Sequence, residues 1–73
     1  MSWNYRIIDH RSHLALHEVH YDRRGRVTHW SAEPTTFVGD CSEGAAGLAG
    51  NLARALSDAL NRPVLMQADL PDG

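Results

Sequence analysis

Apolar and polar positions alternate through the first thirty residues and then change period. In "WNYRIIDH" (3–10), Trp3, Tyr5 and Ile7 fall on one side and Asn4, Arg6 and Ile8 on the other, the two-residue period of a strand. "HLALHEVHY" (13–21) and "RVTHW" (26–30) read as two further strands. Arg11-Ser12 is a two-residue turn between the first pair. Asp22 to Gly25 is a type I turn closing on a glycine of positive φ. Residues 31–40, "SAEPTTFVGD", form a loop: Pro34 ends any ladder, and Phe37-Val38 pin the segment to the core.

From residue 40 the period becomes helical. Leu48, Leu52, Leu56 and Leu60 recur every fourth residue, and Ala45, Ala49, Ala55 and Ala59 widen the stripe. Asp40 with Glu43 makes a capping box, with Ser42 as the alternative cap; Asn61 and Pro63 stop the helix. Residues 64–66 can add a short edge strand, and 66–73 read as a flexible tail. The expected fold is therefore α+β in one domain: a three-stranded antiparallel meander with one helix on one face, and a short fourth strand as an option.

The turns set the register. The first pairs Ile7 with Leu16, Tyr5 with Glu18 and Arg6 with His17; the second pairs Glu18 with His29, His17 with Trp30 and Val19 with Thr28. One face then gathers Trp3, Tyr5, Ile7, Leu14, Leu16 and Val27, and takes the leucine stripe. The other keeps Arg6, Ile8, His17, Val19, Tyr21 and Trp30 with no covering element. A contiguous open patch of that kind implies a partner, either a second copy of the chain or another protein.

Composition narrows the function classes. The chain has 73 residues and a net charge of −2, with no lysine. Five arginines against three acids make 1–31 slightly basic, whereas 32–73 carry two arginines against six acids. This is far from the balance of a dedicated nucleic-acid binder, although Arg23, Arg24 and Arg26 at the second hairpin tip offer a small basic cluster. One cysteine and no signal-like or membrane-length apolar run point to the cytoplasm, with no membrane partner. Cys41 is expected to be buried under the helix.

Five histidines invite a metal reading. "HEVHY" (17–21) departs from the zinc-protease pattern HExxH because Tyr21 stands where the second histidine belongs, and a strand sends His17 and His20 to opposite faces. Glu18, His20 and His29 remain a cross-strand metal candidate, against the plainer reading of a carboxylate–imidazole hydrogen bond. Arg6, His17 and Trp30 form a row suited to an anion or to packing. No phosphate loop, nucleophile–histidine–acid arrangement, paired acid site or cofactor motif is visible, so no catalytic residue is assigned and an enzyme is not expected.

"WNYRII" (3–8), "LALHEV" (14–19), "YDRRG" (21–25), Trp30 and "RPVL" (62–65) resemble a family of small uncharacterised bacterial proteins. Those open with Trp-Asn-Tyr-Arg and continue with an Ala-Leu-His-Glu-Val hairpin and a helix. The resemblance covers most of the chain and implies the hairpin-and-helix fold but no activity. The chain departs from the family at His20, where tyrosine is usual, and in a helix rich in glycine and alanine rather than acids. The strand-strand-strand-helix order is also similar to HicB-type antitoxins, which implies a toxin or RNA partner as the alternative.

Overall fold

A computed structural model describes residues 2–39 and 41–71. Strands β1 (Ser2–Asp9), β2 (Leu14–Tyr21) and β3 (Val27–Trp30) form the meander. Helix α1 (Gly44–Asn61) follows, then a two-residue strand β4 (Leu65–Met66) and one 3₁₀ turn (Gln67–Asp69). The sheet order is β3-β2-β1-β4, with β4 parallel to β1 at Ile8 and Asp9. The fold is α+β, as the change of period implied.

The first hairpin has the expected register, Ile7 opposite Leu16 and Arg6 opposite His17. Its two-residue turn puts Arg11 at φ +74°, where the Asp9 carboxylate accepts its N–H at 2.7 Å. The second hairpin differs from expectation. The Asp22 N–H donates to Arg26 O, Gly25 sits at φ +78°, and Val27 lies opposite Tyr21 rather than on the Tyr5 face. The Asp22 carboxylate accepts the Arg24 and Arg26 N–H groups at 2.8 and 3.0 Å. Those bonds, with Arg26 foremost, hold its pKa below the usual carboxylate value.

A bulge at Thr28 then brings His29 opposite His20 and Trp30 opposite Val19, in place of the expected Glu18–His29, His17–Trp30 and Val19–Thr28 pairs. The turn and the bulge each add one residue. Two added residues restore parity, so Trp30 stays on the face of Val19.

Helix α1 lies over the Trp3–Tyr5 face, as expected, but presents different residues. Ala55 is its buried residue, and the Arg54 guanidinium sits 4.0 Å from the Trp3 ring centroid and bonds Trp3 O. Asp58 accepts the Tyr5 N–H at 3.0 Å, and Phe37 closes on the Tyr5 ring with centroids 5.8 Å apart. Val38, expected to share that role, is exposed.

The leucine stripe is not what docks. Each four-residue step turns about 40° further round a helix, so the stripe leaves the sheet as it climbs. Leu48 is half-buried, whereas Leu52, Leu56 and Leu60 are 46%, 60% and 74% exposed.

The opposite sheet face is not open. Ile8 and Val19 are 0% exposed and His17 1%, the deepest large side chains among the described residues, and Arg6 is 8% exposed. From the edge strand β4, residues 67–71 cross this face. Arg6 donates to Pro63 O at 2.7 Å, β4 pairs with Ile8, Gln67 bonds His10, and the Trp30 Nε1–H donates to Pro71 O at 2.8 Å. The expected tail thus opens in β4 and covers the face as far as Pro71, with Leu65 and Leu70 half-buried along it. Its last two residues lie outside the described residues.

At the helix start Glu43 is itself the N-cap and makes no side-chain cap bond; Asp40, the other member of the expected capping box, lies outside the described residues. Cys41 is exposed rather than buried.

Candidate functional site

The six residues expected to meet a partner now divide. Ile8 and Val19 are sealed core. Arg6 and His17 are buried and bonded internally, and Tyr21 and Trp30 are half-buried and tied to the same network. Tyr21 donates its hydroxyl to Asn4 Oδ1 at 2.7 Å and accepts from Arg6 Nη1 at 3.0 Å. Trp30 meets His17 edge-on, with centroids 5.2 Å apart. The expected row of Arg6, His17 and Trp30 therefore exists in part, and it works as packing beside Pro63 and under residues 67–71. The stack of arginine on an aromatic ring belongs to Arg54 and Trp3 instead.

His17 is the most constrained polar group. Its Nδ1 lies 2.9 Å from Ser31 O, which can only accept, so Nδ1 carries a hydrogen. Its Nε2 lies 2.9 Å from His10 Nε2. Two facing N–H groups cannot share one bond, so neutral His17 accepts there and His10 donates. Burial lowers the His17 pKa from 6.5, opposed by the Ser31 carbonyl and reinforced by repulsion from His10 and His13. His10 Nδ1 lies 2.8 Å from the Gln67 side-chain amide; a ring that donates from Nε2 accepts at Nδ1, so the amide turns its NH2 group to it, and a chain of bonds runs from Ser31 through His17 and His10 to the 3₁₀ turn.

The metal candidate does not assemble. His20 and His29 stack face to face at 4.3 Å, but Glu18 belongs two residues along β2, where its backbone engages Ser31. Among the described residues no group of three or more His, Cys, Asp or Glu is placed to hold a metal ion. Arg23, Arg24 and Arg26 are exposed around the second turn.

Two features went unread in the sequence. Arg6, Arg54 and Arg62 line one polar pocket together with Asp58 and Tyr21. They stand 48 and 56 positions from Arg6, and no local pattern links them. The second feature was legible in principle. The only charged residues of α1, Arg54 and Asp58, turn toward β1, while Ala45, Ala49, Leu52, Ala53, Leu56 and Leu60 are exposed. A helical projection of the sequence puts these six on one uncharged arc. Among the described residues no helix is long and apolar enough to cross a membrane. No family model, curated protein or solved structure matches this chain.

Proposed function

We propose that this chain is a cytoplasmic, non-enzymatic interaction module that pairs with a second copy of itself through the outer face of α1. The observation that carries the reading is the inverted charge pattern of that helix. A surface helix ordinarily turns its charges to solvent; here both charges are spent on β1, and the exposed arc of alanines and leucines has none. An uncharged arc offers nothing to select an oppositely charged partner, but it is complementary to itself across a two-fold axis. The alanines at 45, 49 and 53 let two such helices approach closely, with the leucines filling the seam. An exposed lone cysteine accords with a reducing compartment.

Sedimentation velocity over a wide range of protein concentration tests the reading. The wild-type mass should rise from one chain to two, and Leu56→Asp should stay at one chain with an unchanged circular dichroism spectrum. A wild-type chain that remains monomeric at millimolar concentration, or a Leu56→Asp variant that still pairs, would refute it.

A further inference from the structure

Arg6 presents a problem of charge. The residue is 8% exposed, and burying a cation without an anion is costly. Each of its protein partners is neutral. Nε and Nη2 donate to Pro63 O at 3.3 and 2.7 Å, and Nη1 donates to the Tyr21 hydroxyl at 3.0 Å. Among the described residues no carboxylate pairs with it. A guanidinium has five N–H donors. Three are used here, which leaves one on each Nη.

The same side chain lines a pocket of about 470 Å³ with Arg54, Arg62, Asp58, Asn4 and Tyr21. Three arginines against one aspartate give the lining a surplus of two positive charges. Asp58 is already engaged by the Tyr5 N–H, and Arg54 is held by Trp3. Arg62 is exposed and lines the pocket. Two features make this a built site rather than a patch of surface charge. Arg6 is fixed in place by Pro63 and by the Tyr21–Asn4 pair, and its cost of burial falls if an anion supplies the missing charge.

We infer that the pocket between β1 and the end of α1 binds a dianionic tetrahedral oxyanion, a phosphate group, through Arg6, Arg62 and Arg54. A phosphate monoester carries about −1.5 to −2 charge at neutral pH, which matches the surplus, and planar guanidinium forks suit its oxygens. A carboxylate, with a single charge, would leave the lining unbalanced. The pocket is larger than one phosphate, so the group belongs either to free phosphate or to a small phosphorylated molecule. The site is separate from the outer face of α1.

The test is a titration at low ionic strength, followed through the Arg6 Nε–H resonance and the Tyr5 and Arg6 amides. The probes are inorganic phosphate and ribose 5-phosphate, with ribose as the uncharged control. Saturable shifts with a phosphate probe, weakened about tenfold in Arg62→Gln, would support the site. Arg62 is exposed, so this variant tests binding without disturbing the core. Equal affinity for the two probes would identify the free anion as sufficient; tighter ribose 5-phosphate would identify a phosphorylated small molecule. No shift at Arg6 with either probe, equal shifts with ribose, or unchanged affinity in Arg62→Gln would overturn the inference.

Discussion

The sharpest consequence of the fold concerns Ile8. An alternating strand with one covered face would leave Ile8 bare, and trimming it would then cost almost nothing. Here it is 0% exposed, beside β4 in the sheet and on the face that residues 67–71 cross, whereas Val38 in the loop before α1 is 75% exposed. Ile8→Val removes one buried methyl group and should cost about 0.5–1.5 kcal/mol; Ile8→Ala should cost about 2–5 kcal/mol. A 73-residue domain has about 4–11 kcal/mol to lose, so the alanine variant approaches the limit of folding and the valine variant is the measurable one. Val38→Ala should fall within about 0.5 kcal/mol of wild type.

Urea unfolding, followed by the fluorescence of Trp3 and Trp30, reads these differences. With a slope near 1 kcal/mol/M, Ile8→Val should lower the midpoint by about 1 M and Val38→Ala by much less. All variants are compared at one low protein concentration, so that pairing does not contribute. If Ile8→Val is no more destabilising than Val38→Ala, the second sheet face is open and the covering role of residues 67–71 is wrong.

Three further outcomes follow from particular groups. The His17 pKa is lowered in the fold, so on acidification the unfolded chain takes up a proton near pH 6.5 while buried His17 does not. Stability is then full above pH 6.5 and declines below it until the folded value is passed; the urea midpoint should fall from pH 7.5 to 5.5, and less so in His17→Gln. A midpoint that rises over this range would contradict the assignment. Gly25→Ala forces a side chain into φ +78° and should lower stability by about 1–2 kcal/mol in thermal unfolding. Arg11→Gly relieves the opposite mismatch at φ +74°, offset by the greater freedom of glycine when unfolded, and should raise stability by about 0.5 kcal/mol; a loss would show that Arg11 is not strained.

What the chain declares by itself is local. The two-residue period through Trp3, Tyr5 and Ile7, the Asp22-to-Gly25 turn and the four-residue period after residue 44 each act within a few positions, so strands, hairpins, helix and the first register can be taken from the sequence. The second register needed a bulge at Thr28, which leaves no mark in composition. Tertiary structure decided the rest. Whether Leu56 or Ala55 meets the sheet depends on the rotation of α1. That rotation is set by Arg54 on Trp3 and Asp58 on the Tyr5 amide, contacts spanning some fifty positions. Whether Ile8 and Val19 are surface or core depends on Gln67 and Pro71 reaching His10 and Trp30. Such contacts use backbone carbonyls and single polar atoms, which any sequence has in plenty. Only the closed chain shows which of them meet, and with them where Arg6 comes to rest with no carboxylate against it among the described residues.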